Sequence, residues 1–116
     1  MHPNLETLSK YITDKEYLKV IMALNTPPKN FSELKLVIEA YIGLQRFDHA
    51  EKLLLNWQSN LIGNLEWALW CYYYAKALVG QGNKHQALIS LDFGLDFCKE
   101  DKSIHDLINS YKISIS

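Results

Sequence analysis

Four histidines, two cysteines and one pair of carboxylates are the side chains that could carry chemistry in this 116-residue sequence. His2, His49, His85 and His105 stand at isolated positions, with no H-E-x-x-H and no Cys at metal-ligand spacing. His49 and His85 stand one and two residues ahead of Ala50 and Ala87, and are expected on solvated surface. Cys71 and Cys98 lie within helical patterns far from any C-x-x-C, the pattern of buried free thiols. Asp92 and Asp96 form an i, i+4 pair that a general acid and base could share, but a like-charged solvated helix face explains it more cheaply. Gly80-Gln81-Gly82 has neither the preceding strand nor the Lys-Ser/Thr of a phosphate loop. No serine has the flanking glycines of a nucleophile elbow. The sequence therefore predicts no enzyme, no metal, no cofactor and no small-molecule substrate.

Charge narrows the partner class. With 12 Lys and Arg against 13 Asp and Glu, scattered rather than in blocks, there is no basic face for nucleic acid and no polybasic membrane contact. An apolar fraction of 48% and a charged fraction of 22% are those of a globular protein, and the length suits a single domain over residues 1–116. The longest apolar run, Trp67 to Ala75, is about half of a bilayer span. Met1-His2-Pro3-Asn4-Leu5-Glu6 has no basic start and no apolar stretch of a secretory signal, so a cytoplasmic location is expected.

What positions these residues is an internal repeat. Tyr11–Tyr17–Val20–Leu24, Tyr41–Phe47–Ala50–Leu54 and Leu78–Lys84–Ala87–Leu91 share the offsets +6, +9 and +13. A short repeat cannot bury its apolar face alone and must stack on its neighbour. Seven antiparallel helices follow from the 3.6-residue periodicity. The first, capped by Asn4, carries Leu5, Leu8, Tyr11 and Ile12; the second, capped by Thr13 or Asp14, carries Tyr17, Leu18, Ile21, Met22 and Leu24, and Thr26-Pro27-Pro28 ends it. The third runs from about Ser32 to Leu44, the fourth from about Phe47 to Trp57, the fifth from about Leu65 to Gly80, the sixth from about Lys84 to Lys99 and the seventh from about Ser103 to Lys112. The fold class is all-α, with no window of period two that needs a strand. Units span about residues 1–30, 31–67 and 68–100, with a C-terminal helix over about 101–114.

The segments Tyr41 to Ala50 and Gly80 to Leu88 resemble the tetratricopeptide repeat (TPR), a helix–turn–helix unit with aromatic, small and Leu-like residues at fixed stations. Ala50 and Ala87 allow close helix approach, and Gly82 permits the turn. Val20 stands where Ala is expected, and the unit spacings of about 30 and 37 residues depart from a steady 34. Three degenerate TPR-like units in a right-handed array, a terminal helix, and the stretch Leu65-Glu66-Trp67-Ala68-Leu69-Trp70-Cys71-Tyr72 are similar to the needle-subunit chaperones of bacterial type III secretion. That resemblance implies a cytoplasmic heterotrimer with a small helical co-chaperone and one needle subunit. The amphipathic C-terminal helix of the needle subunit would lie in a concave groove, which would prevent premature polymerisation.

In such a stack the first helix of each pair lines the concave face. Trp67, Trp70, Cys71, Tyr74 and Leu78 contain the repeat stations and are expected in the core. The opposite stripe of the fifth helix, Leu69, Tyr72, Tyr73, Lys76 and Val79, is also largely apolar, and a helix apolar all round must be covered all round. Two coverings are open: the protein's own seventh helix or neighbouring units, or a partner helix in an exposed groove. In the second case Glu39 and Ile42 form a rim, and Ile104, Ile108 and Tyr111 a far wall. The uncapped N-terminal unit, with Leu5, Leu8, Tyr17, Leu18, Ile21 and Met22, is the expected contact for the co-chaperone, since an open solenoid end is sticky.

Overall fold

Asn4, Asn30, Asn83 and Asp101 each start a helix in the same way: the side-chain oxygen accepts from the backbone N–H three residues on, at 2.8, 2.9, 3.3 and 3.0 Å. Each cap satisfies one of the donors that a helix start leaves orphaned. A computed structural model describes residues 4–24 and 27–116. Its helices are α1 (Leu5–Thr13), α2 (Tyr17–Ala23), α3 (Phe31–Gly43), α4 (Phe47–Trp57), α5 (Gly63–Gly80), α6 (Lys84–Phe97) and α7 (Lys102–Ile115), with a 3-10 turn at Gln58–Asn60. The fold is all-α, with no strand among the described residues.

Helix boundaries move where capping differs from expectation. Neither Thr13 nor Asp14 caps α2, which opens after Glu16 without a side-chain cap. α2 ends at Ala23, before the prolines; Thr26, assigned to its end from sequence, lies outside the described residues. α5 starts two residues early, at Gly63, and α7 continues to Ile115.

The three helix pairs close with one turn. Lys15 (φ 59°), Gln45 (φ 60°) and Gly82 (φ 81°) are all left-handed, and each stands two residues before the start of the second helix. The next N–H reaches back to the first station of the repeat: Glu16 to the Tyr11 carbonyl at 2.7 Å, Arg46 to Tyr41 at 2.8 Å, Asn83 to Leu78 at 2.9 Å. This six-to-one bond with a left-handed residue inside it is a Schellman ending. The turn's left-handed residue after α3 is Gln45, not Gly43, whose lack of a side chain serves packing instead.

Odd and even helices play different parts. α1 touches α3, α3 touches α5 and α5 touches α7, whereas α2, α4 and α6 touch only odd helices. Pairs run antiparallel: Trp67 stacks on Phe97 while the Ser90 hydroxyl, earlier in α6, donates to the carbonyl of Cys71, later in α5. The main core joins α3 to α7 around Leu34, Ile38, Leu54, Leu91 and Ile108, all with essentially no exposure. A second cluster joins α1, α2 and α3 around Leu8, Val20 and Val37. Ala50, Ala68, Ala75 and Ala87 are fully buried where backbones approach. α5 lies at the centre, buried on both stripes: Trp70, Cys71 and Leu78 on one, Tyr72 and Tyr73 on the other.

Candidate partner-binding faces

Residues of α1, α3 and α5, with Tyr17 of α2, come together on one face. A trough of about 230 Å³ is lined by Ile12, Tyr17, Glu39, Ile42, Gly43 and Lys76. The Tyr73 hydroxyl donates to Glu39 Oε1 at 2.6 Å, tying α5 to α3. Burial, reinforced by that carboxylate, pushes the Tyr73 hydroxyl far above the ordinary tyrosine value, so it remains a donor. Lys76 Nζ sits 5.1 Å from the Tyr72 ring centroid and 5.8 Å from that of Tyr111. No carboxylate of the described residues lies within 4.0 Å of it; Lys76 donates to the Tyr72 hydroxyl at 3.4 Å and lies near the Tyr72 and Tyr111 rings. Glu39 and Lys76 thus present opposite charges beside an apolar floor.

The open groove along α5 requires correction. Tyr72 and Tyr73 are buried, and Ile108 is 0% exposed in the main core. Leu69, Val79, Ile104 and Tyr111 are half-buried and packed against that core. The cause is α7. Ile108 enters the space left by Gly94, and a turn later Tyr111 meets Tyr72 edge to face, ring centroids 5.6 Å apart. Of the ten groove residues expected from sequence, only Glu39, Ile42 and Lys76 line the trough beside Tyr17 and Gly43.

At the N-terminal end, Leu8 is also corrected: it is fully buried between α1, α2 and α3. Tyr17 and Ile21 are half-buried, and the Tyr17 ring lies on Gly43, where any Cβ would collide with it. Leu5, Leu18 and Met22 are exposed, Met22 by 69%. Leu18 and Ile21 share a trough of about 240 Å³ with Tyr41, Leu44, Arg46 and His49.

A third surface escaped the sequence analysis. A trough of about 320 Å³ runs between α5 and α6, with Gln58 of the 3-10 turn at its edge, and is lined by Trp67, Trp70, Tyr74, Gln86, Ile89, Phe93 and Phe97, among others. Trp70 stacks on Tyr74 at 4.7 Å and Trp67 on Phe97 at 5.8 Å. Phe93 is 58% exposed and Ile89 39%. The signal was present: Ile89, Phe93 and Phe97 recur every four residues, a second stripe beside the stations Ala87 and Leu91. A wider hollow of about 470 Å³, formed by Asn64, Leu65 and residues 96–101, has a charged rim whose Asp101 is committed to capping α7.

Among the described residues, which leave out His2, those with chemical potential do not converge. Cys71 and Cys98 are buried free thiols, and burial pushes the Cys71 thiol up to about 11. His49 leans on its neighbour Asp48 in solvent. Among the described residues no three His, Cys, Asp or Glu side chains could hold a metal ion together. No described helix is long and apolar enough to cross a membrane. What these surfaces can do is bury apolar side chains and pair a few charges. No protein-family model, curated protein or solved structure matches this chain.

Proposed function

We propose that this chain is a TPR-like, non-catalytic chaperone of the kind that holds a type III secretion needle subunit in the cytoplasm, together with a small helical co-chaperone. The needle subunit's amphipathic C-terminal helix would lie along the inner face. One observation carries the proposal: odd helices touch in an unbroken layer while even helices stand apart. A two-layer array of that kind bends with the contiguous layer inside, and a concave helical face suits an amphipathic helix. The shared Schellman turns support stacked repeat units, and the exposed Leu5, Leu18 and Met22 suit a co-chaperone at the N-terminal end. Glu39, Ile42 and Lys76 supply the charged and apolar anchors of the inner trough.

A second reading is a TPR-like scaffold that joins folded proteins, favoured by the cover that α7 places over Tyr72. Co-expression separates the two. With a needle subunit from a neighbouring gene, the chaperone predicts one co-eluting complex by light scattering, lost in Ile42→Asp and retained in Phe93→Asp. Two separate species would sink it, and a soluble monomer that binds no apolar dye would favour the scaffold.

A further inference from the structure

The charged side chains of α5 are Glu66 and Lys76, and the helix uses them differently. Glu66 serves the helix start, where its Oε1 accepts the Ile62 N–H at 2.9 Å. Lys76 has no carboxylate to serve. One turn away on the same helix stand Tyr72, Tyr73, Val79 and Gly80, so no anion at i, i+3 or i, i+4 spacing reaches it. Its hydrogen bond to the Tyr72 hydroxyl is long, at 3.4 Å, and among the described residues no carboxylate lies within 4.0 Å of its ammonium. Glu39, the anion lining the same trough, already accepts from the Tyr73 hydroxyl at 2.6 Å. Both charges are half-buried, beside Ile12, Tyr17 and Ile42. The anion is thus provided for within the molecule, and the cation is not.

We propose that Lys76 selects the partner helix by pairing with a carboxylate carried inside that helix's apolar stripe. The recognised segment is then an amphipathic helix with one Asp or Glu flanked, at three- and four-residue spacing, by aliphatic side chains. This rests on the reading that a needle subunit's C-terminal helix lies in this trough, and it names the chemistry of the contact. A helix laid over Ile12, Tyr17 and Ile42 strips water from the Lys76 ammonium, and a charge so covered is costly unless an anion faces it. An all-apolar stripe leaves that cost unanswered, and a Lys or Arg in the stripe adds repulsion, so both are rejected. Glu39 sharpens the register, because a carboxylate seated against it instead of Lys76 is repelled.

The test measures binding of the full chain to a synthetic peptide of the C-terminal helix of the needle subunit encoded by a neighbouring gene. Lys76→Glu should weaken binding at least about tenfold, the scale for breaking a desolvated charge pair, with unchanged helical circular dichroism. Peptides with single Asp or Glu residues changed to Lys should include one that binds the Lys76→Glu chain more tightly than the wild-type chain. Lys76→Met keeps the aliphatic stem and removes the charge. It should bind the natural peptide more weakly, and the peptide with that acidic residue changed to Leu more tightly, than the wild-type chain does. A natural peptide that binds the wild-type chain, Lys76→Glu and Lys76→Met alike overturns this inference and leaves the chaperone reading standing. So does a set of peptide substitutions in which none rescues Lys76→Glu. A wild-type chain that binds no such peptide overturns the chaperone reading and this inference together.

Discussion

The ring of Phe47 lies on Gly80 so closely that any side chain at residue 80 would collide with it. The Tyr17 ring lies on Gly43 in the same way. In both cases the first residue of an even helix covers the last residue of the odd helix of the next unit. The third unit has Lys84 at this station, and α7 ends without a glycine to receive a ring. The aromatic station and the terminal glycine are therefore two halves of one inter-unit contact.

Gly80→Ala should lower stability by about 1–3 kcal/mol, the usual cost of overpacking. Phe47→Leu in the same chain should recover part of the loss, because it shortens the opposing ring. Thermal unfolding of the single and double variants checks this, and strict additivity of the two losses would contradict the contact.

At the turns, Gln45 and Lys15 occupy left-handed backbone without being glycine. Gln45→Gly should stabilise by about 0.5–1 kcal/mol, relief of left-handed strain exceeding the added freedom of the unfolded chain. Gly82→Ala should move stability the other way. Denaturant midpoints at equal slope are the measure.

Trp70 and Trp57 should respond differently to replacement by Phe. The Trp70 indole donates to the Leu54 carbonyl at 2.7 Å, capping an acceptor that the end of α4 leaves without a helical partner. Trp57 Nε1 is buried and, among the described residues, has no partner. Trp70→Phe should cost about 1–3 kcal/mol through the buried carbonyl it orphans. Trp57→Phe should cost clearly less, and equal losses in melting temperature would refute the distinction.

Ile108→Ala should cost about 2–5 kcal/mol, the range for a fully buried aliphatic side chain in a core that cannot collapse. The exposed Lys112–Asp92 pair should matter little by comparison, about 0–1 kcal/mol. Deleting residues 102–116 removes the cover of Tyr72, so binding of an apolar dye should rise sharply. If it does not, Tyr72 has another cover.

Cys71 sets an alkaline limit. Burial raises its pKa from 9.0 to about 11, so the folded chain holds this proton more tightly than the unfolded one. The contribution is whole below pH 9.0 and is lost as pH rises toward about 11. Melting temperature should fall across that window, less steeply in Cys71→Ala, and Tyr73, shifted the same way, should continue the fall at higher pH. A thiol reagent at neutral pH should modify Cys71 only on unfolding.

Periodicity by itself determined the class and the count of helices, the repeat stations and most of the core, because burial of Ala50, Leu54, Ala87 and Leu91 follows from local spacing. Asn4 announced its cap for the same local reason. What tertiary structure decided was which apolar stripe stays open. α5 is apolar on every side, so its own pattern could not say that α7 covers Tyr72 while the side shared with α6 leaves an aromatic trough. That choice turns on Gly94 admitting Ile108 and on Tyr111 meeting Tyr72, contacts between residues far apart in the chain that no single-helix periodicity encodes.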